Sequence, residues 1–395
     1  VVEGDAVSDS SAVEGVSTAA AGSLVSGKSE TSGRVADSAS AYRTWPAEDL
    51  TCRIERVLRA AATELSTDLA RVDPRLTELG DVVMPLVTGG KHLRPTFGYW
   101  GWRGAGGPDC PEIVSTMAAL DLLHAFALVH DDVVDDSELR RGLPAVHVRF
   151  ANRHRAAGWA GDPVAFGRAM AILVGDLLLV WADRLLANGG LPGANVWRGR
   201  PVYDEMRIEL MAGESLDVLD QAQRVRSLPA ALRTARFKTG KYTIERPLHL
   251  GAMLARDTGL QLLDAYSGYG LPLGEAFQLR DDVLGVFGDP AATGKPAGDD
   301  LREGKRTVLI ALAYERARPA QRLVLDGSLG DPDLAADGID MLREIIVDTG
   351  ALASTETMVE SRARAALSAL DCAPVATEVR TALAELAVRA TRRTC

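Results

Sequence analysis

The sequence predicts an all-α fold built as one large helical domain, and three observations predict it. Apolar residues recur at spacings of three and four through most of the chain. Alternating strand-like runs bounded by turn dipeptides are scarce. No glycine-rich dinucleotide or P-loop signature follows a strand. A length of 395 residues admits two ordinary domains or one large one. No fixed-period repeat marks a solenoid, so one helical domain is the economical reading.

Residues 1–41 contain no Phe, Tyr, Trp, Ile or Pro and a single Leu. Such a segment cannot bury enough apolar surface to offset its ordering entropy and is expected to be a disordered tail. The helical domain is expected over residues 42–395. Its first helix is predicted at 49–69, where Leu50, Ile54, Val57, Leu58, Ala61 and Leu65 form one face. Further helices follow at 117–134, 165–186, 204–219, 229–254, 261–286, 307–315, 339–349, 354–370 and 377–389, each bounded by Gly, Pro or Asn/Asp/Ser punctuation. Connectors rich in Gly and Pro are expected at 101–111, 189–201 and 288–304. The third also crowds Asp289, Lys295, Asp299, Asp300, Arg302, Glu303, Lys305 and Arg306 into a short polar stretch, which suggests a working loop.

Hydrophobic residues at 47% and charged residues at 25% allow a substantial core and exclude wholesale disorder. Forty-four Lys and Arg against 54 Asp and Glu leave no basic field, so nucleic acid is not an expected partner. Cys52, Cys110, Cys372 and Cys395 are scattered without a CxxC pair, and no secretory signal is evident, which points to the cytoplasm. The most apolar stretch, residues 169–181, is interrupted by Asp176 and reads as a buried helix rather than a membrane span.

Two acidic clusters carry the chemistry. In the run from His130 to Asp136, Asp131 and Asp135 stand four apart, as do Asp132 and Asp136, so carboxylates project in pairs from one helix edge. One reading is a solvated acidic helix end. That end already carries negative partial charge from the helix dipole, however, and a cation would remove the conflict. Asp281 and Asp282 end a second apolar helix, and two such helices facing one another could hold metal. Oxygen-only ligands favour a hard ion, and Mg²⁺ takes one or two carboxylates, waters and substrate phosphate oxygens. Lys91, Arg94, Arg140, Arg141, Lys238, Lys241, Lys295 and Lys305 stand beside Gly-rich turns and these acidic runs. Each alone reads as a surface charge; together they suit a diphosphate. His124, two helical turns before Asp131, lies on nearly the same face.

The stretches GGKHLRP at 89–95, LLHAFALVHDDVVDDSELRRGLPAVH at 122–147, GDLLL at 175–179, KTGKYTIERPLHLGA at 238–252 and FQLRDDVLGVFGDPAATGKPAGDDLREGKRT at 277–307 resemble the trans-polyprenyl diphosphate synthases. Their order and their span of about 220 residues make the likeness specific. It implies a helical bundle of the isoprenoid synthase type around a central apolar cavity, with Asp131, Asp132 and Asp135 binding Mg²⁺ shared with an allylic diphosphate. It implies further Mg²⁺ at Asp281 and Asp282, three ions in all. Lys91, Arg94, His124 and Arg141 are implied around isopentenyl diphosphate. Arg140, Lys238, Thr239, Gln278, Lys295 and Lys305 are implied around the allylic substrate (dimethylallyl, geranyl or farnesyl diphosphate), with Arg140, Lys238 and Gln278 assisting catalysis. A homodimer is also implied.

Two departures from the family pattern stand out. Gly285 occupies the place of the third carboxylate of the second motif, so one metal is expected to be held less tightly. His92 replaces an Arg found in many relatives, and is expected either to weaken a contact at the isopentenyl site or to face solvent. Below the first motif, Phe126 reads as a plug and Ala127 as an opening, a pairing that resembles enzymes making the twenty-carbon product; plain core packing is the alternative for Phe126. Farnesyl and twenty-five-carbon products, a terpene cyclase and a non-catalytic partner subunit are the competing readings. A cyclase has no use for Lys91, Arg94 and His124, and a non-catalytic subunit would be expected to lose the acidic or basic sets that remain.

Overall fold

The computed structural model describes residues 49–256, 258–289 and 298–391, all within a unit running from Tyr42 to Cys395. The expected tail over 1–41 and the expected ligand Lys295 lie outside the described residues. Helix α1 (Leu50–Val72) begins where Asp49 accepts a hydrogen bond from the Thr51 amide, and it buries Ile54, Leu58, Ala61 and Leu65. Then come α2 (Thr77–Val87), α3 (Leu93–Gly104), α4 (Pro111–Val134), α5 (Val146–Ala157), α6 (Pro163–Asn188) and α7 (Gly193–Ala222). Helix α8 (Leu228–Ala235) continues through a π-helical stretch (Arg236–Glu245) into α9 (Arg246–Ala255), so the single helix expected over 229–254 contains a change of register. Next are α10 (Leu260–Phe287), α11 (Asp299–Glu303), α12 (Val308–Arg316), α13 (Pro319–Ser328), α14 (Ala336–Asp348), α15 (Ala351–Asp371) and α16 (Thr377–Thr391).

Helix α4 is the central rod. Met117, Leu120, Leu122 and Val129 are wholly buried, and each such side chain contributes roughly 1.5–3 kcal/mol. It packs on α1, α3 and α6, while α10 packs on the π-helical stretch and α15. These contacts bring the carboxyl-terminal halves of α4 and α10 to one cavity. The only strands among the described residues form a hairpin, β1 (Leu139–Arg140) with β2 (Leu143–Pro144). Arg141 and Gly142 turn it with φ of 54° and 75°, as a two-residue hairpin turn requires.

Three expectations need correcting. The connector expected at 189–201 is mostly the start of α7. Pro201 sits inside that helix, and tertiary packing overrides its cost: Tyr203 is fully buried and the Asn195 amide donates to the Leu254 carbonyl at 2.8 Å. The connector expected at 101–111 likewise begins as the last turn of α3. Finally, α4 and α6 are both long and apolar enough to cross a membrane by length and composition, despite Asp176 in the latter. In α4 the apolar window is 72% buried within the fold; in α6 it is only 33% buried, contrary to the buried helix expected there. Ile172, Leu173 and Val180 are exposed on α6, as are Ile208 and Met211 on α7.

Candidate active site

Helix α4 ends at Val134, placing Asp131 and Asp132 in its last turn and Asp135 at its C-cap. Asp281 and Asp282 lie on α10 more than one turn before its end. Asp131 of the first motif and Asp281 and Asp282 of the second border one cavity of about 800 Å³, whose walls also carry Lys91, Arg94, His124, Arg140, Arg141, Lys238, Thr239, Gln278 and Lys305; Asp132 and Asp135 are not among its lining residues and pair with Arg140 and Lys305. Asp131, Asp281 and the expected basic residues that can be described are therefore brought together, except Lys241, which is not among the lining residues and pairs with Glu209 and Glu245 instead.

The carboxylates are held by cations of the chain. Lys238 Nζ lies 3.1 Å from Asp131 Oδ1 and 2.8 Å from both Glu214 Oε2 and Asp217 Oδ2. Arg140 Nε donates to Asp132 Oδ1 at 2.8 Å, and its Nη2 donates to Asp131 Oδ2 at 3.1 Å. Lys305 Nζ lies 2.9 Å from Asp135 Oδ2 and 2.6 Å from Glu303 Oε2. The backbone permits this geometry. A Cβ on Gly213 would sit 2.3 Å from the Lys238 amide nitrogen, so only glycine lets α7 approach the π-helical stretch closely enough for Glu214 and Asp217 to reach the Lys238 ammonium.

The electrostatics follow burial and pairing. Burial opposes ionisation of Asp131, but Lys238, Lys305 and Arg140 together hold its carboxyl well below the usual range. Burial pushes Asp282 up to about 8 and outweighs the Gln278 amide, which donates to it at 2.6 Å; Asp300, Asp281 and Asp217 add to the rise. Glu214 is raised to about 7, chiefly by burial. Burial and the nearby Arg94, Arg141 and Arg140 keep His124 neutral, with its pKa well below the ordinary imidazole value. Arg94 donates to Thr243 Oγ1 at 2.9 Å and stacks 4.4 Å from the Tyr242 ring centroid. The hairpin aims Arg141 at the Leu86 carbonyl, beside the Gly89–Gly90 turn.

Among the described residues no three Asp, Glu, His or Cys side chains converge into a preformed metal cage. The donor set nonetheless fits Mg²⁺. It is all oxygen, comes from both α4 and α10, and its carboxylates outnumber Lys238, Arg140 and Lys305, the three cations that pair with this acidic cluster. Mg²⁺ characteristically completes its octahedron with waters and phosphate oxygens rather than with a protein cage.

Sequence reasoning left the surroundings of two residues open. His92 does not face solvent: it is buried and lines the cavity, with Nδ1 2.5 Å from Asp121 Oδ2 and Nε2 3.6 Å from Glu55 Oε1. Glu55 in turn accepts the Gly89 amide at 2.9 Å, so the three residues clamp the Gly89–Gly90–Lys91 turn to α1 and α4. Burial lowers the His92 pKa, but Asp121 and Glu55 more than compensate and raise it overall. A group raised in this way stabilises the fold fully below its unfolded value near 6.5, and that contribution is lost as pH rises through the folded value. His92→Gln is therefore expected to cost about 1–3 kcal/mol at pH 6, because it strips a buried carboxylate of its charged partner, and less at pH 9. Urea denaturation at both pH values would show it, and an equal deficit at both would refute the charged clamp. The second residue is Phe126. It is buried edge-on against His130 with centroids 4.8 Å apart and is not among the cavity-lining residues, which here are Ala127 and Leu128. Phe126 thus packs in the hydrophobic core beside the lining residue Ala127.

Glu214 and Asp217 were missed. Their spacing of three on an amphipathic helix was the available signal, but it reads as a solvated face until the π-helical stretch is seen against it.

The sequence profile of the polyprenyl synthetase family matches residues 77–346. The chain is 34% identical over 280 residues to the geranylfarnesyl diphosphate synthase of Aeropyrum pernix, covering 70% of this chain and 80% of that protein. It is 31% identical to the farnesyl diphosphate synthase of Escherichia coli, covering 77% and 96%. Its fold superposes with a TM-score of 0.85 and 38% identity on the Corynebacterium glutamicum geranylgeranyl pyrophosphate synthase solved with isoprenyl diphosphate and magnesium, covering 89% of this chain and all of that one. A helical fold whose two acidic helices share one cavity, five ordered motifs and these likenesses agree: the chain belongs to the polyprenyl synthetase family of trans-prenyltransferases.

Proposed function

We propose that the chain condenses isopentenyl diphosphate head-to-tail with an allylic diphosphate (dimethylallyl, geranyl or farnesyl) to give a short-chain, twenty-carbon product. The observation that carries this reading is the single cavity lined by carboxylates from α4 and α10 together with Lys91, Arg94 and Arg141. When bound by Asp131, Asp135 and Asp281, with Asp132 and Asp282 in support, Mg²⁺, in three ions by family resemblance, supplies Lewis-acid neutralisation of the departing diphosphate.

The chain's own residues do the rest. Lys238, Lys305 and Arg140 hold donors where negative charge grows as the allylic C–O bond breaks, with Thr239 and Gln278 beside them. Lys91, Arg94 and Arg141 hold isopentenyl diphosphate, and neutral His124 adds a hydrogen bond without adding charge. This places the isopentenyl double bond to attack the allylic cation. Apolar walls such as Leu128, Leu210 and Phe277 keep out the water that would trap that cation. The proton lost from the condensed product passes to the released diphosphate. Incubation with isopentenyl diphosphate and each starter, with and without Mg²⁺, followed by product sizing tests the reading. No elongation with any starter would end it.

Product length is proposed to be set at Ala127, which lines the cavity four residues before Asp131. Ala127→Phe should shorten the main product by one five-carbon unit. Phe126→Ala, which empties space in the core beside Ala127, should lengthen it. Chromatography of the dephosphorylated products reads both, and an unchanged spectrum in both variants would remove this wall as the ruler.

The chain is also proposed to form a homodimer. The exposed Ile172, Leu173, Val180 and Ile208 on α6 and α7 support an apolar face that a second copy would cover. Light scattering reads the mass directly.

A further inference from the structure

Gly285 lies on α10 four residues after Asp281 and three after Asp282, the place where a third carboxylate would project towards the same wall of the cavity. A Cβ on Gly285 would lie 1.9 Å from Asp300 Oδ2 and 2.5 Å from its Cγ. The volume that a side chain at 285 would occupy is therefore filled by the carboxylate of Asp300. We propose that Asp300, reaching in from α11, supplies the metal-ligating carboxylate that the second acidic motif lacks at Gly285. The assignment rests on the Mg²⁺ reading above and extends it to a residue outside both acidic motifs.

The surroundings of Asp300 fit this role. Asp281, Asp282, Gly285 and Asp300 all border the same cavity. Helix α11 is short but anchored: Leu301 is fully buried and its carbonyl accepts the Gly330 amide at 2.9 Å, while the Asp300 carbonyl accepts the Lys305 amide at 3.1 Å. The helix lies between Gly298 and Gly304, with φ of 72° and 74°. The Lys305 ammonium stands 3.8 Å from Asp300 Oδ1 and 2.9 Å from Asp135 Oδ2, so one cation already spans Asp300 and the first motif. A carboxylate presented there from a separate helix does the work of one at 285, because a hard cation selects oxygen donors by position and charge, not by their place in the chain. The weaker metal site expected from Gly285 alone is thereby offset.

The test is Mn²⁺ binding to the full chain in the presence of inorganic diphosphate, followed by electron paramagnetic resonance, with circular dichroism to check folding. Asp300→Asn keeps the shape and removes the charge, and is expected to weaken at least one class of bound Mn²⁺ by about tenfold or more. Gly285→Ala should do the same by displacing the Asp300 carboxylate. The transposed variant G285D/D300G returns the carboxylate to α10 and clears the space it needs, so it should bind Mn²⁺ more tightly than Asp300→Asn. Unchanged stoichiometry and affinity in folded Asp300→Asn would overturn the assignment alone, as would a folded transposed variant no better than Asp300→Asn. Failure of the unaltered chain to bind Mn²⁺ with diphosphate would instead overturn the metal reading, and this assignment with it.

Discussion

Asn in place of Asp131 is expected to lower the condensation rate at saturating Mg²⁺ by about 10²- to 10³-fold, the scale of removing one preorganised electrostatic contact from a dry site. Asp131 is where several elements of the site meet: it pairs with Lys238 on the π-helical stretch and with Arg140 on the hairpin, and it borders the same cavity as Asp281. The amide keeps the volume but loses the charge. Lys238 retains Glu214 and Asp217, and Arg140 retains Asp132, so the fold should persist. Lost turnover with a preserved melting curve separates a chemical role from a structural one. Initial rates with isopentenyl diphosphate and an allylic starter provide the measurement, and a rate within threefold of the unaltered chain would contradict the role given to Asp131.

Lys238→Met should affect both stability and turnover. The Lys238 ammonium is the shared counter-ion of Asp131, Glu214 and Asp217, from three directions. Removing one partner of a buried ion cluster leaves uncompensated charge and costs about 3–5 kcal/mol. The sign with pH is fixed by the carboxylates. Glu214, already raised to about 7, rises further without Lys238, so the penalty is full above its folded value and falls as acid protonates it. The deficit in unfolding free energy is therefore expected to shrink between pH 8 and pH 6. Denaturant titrations across that range measure it, and a deficit that grows towards low pH would mean that these carboxylates do not lean on Lys238.

Much of this molecule is legible in its sequence. Helix α1, the central helix α4 and helix α10 announce themselves by apolar periodicity, because a helix buried on one or all faces must repeat its apolar residues every three or four positions. The pair Asp131/Asp135 is legible for a related reason: like charges four apart on one helix edge repel unless a cation lies between them, and Asp281/Asp282 is legible as a second acidic pair in an otherwise apolar helix. Helix α7 is under-read because Pro201 is a local signal of a break, whereas its packing against α9 is a non-local fact.

By itself the sequence determined that this chain is helical, that it presents two acidic helix segments and that its basic residues suit a diphosphate, because periodicity and charge spacing are properties of neighbours along the chain. Only the tertiary structure decided that His92 clamps a turn, that Phe126 packs edge-on against His130, that Glu214 and Asp217 meet Lys238, and that Asp300 fills the place left open at Gly285. Each of those depends on how closely two separate backbones approach, and that distance is set by packing, which no local pattern encodes.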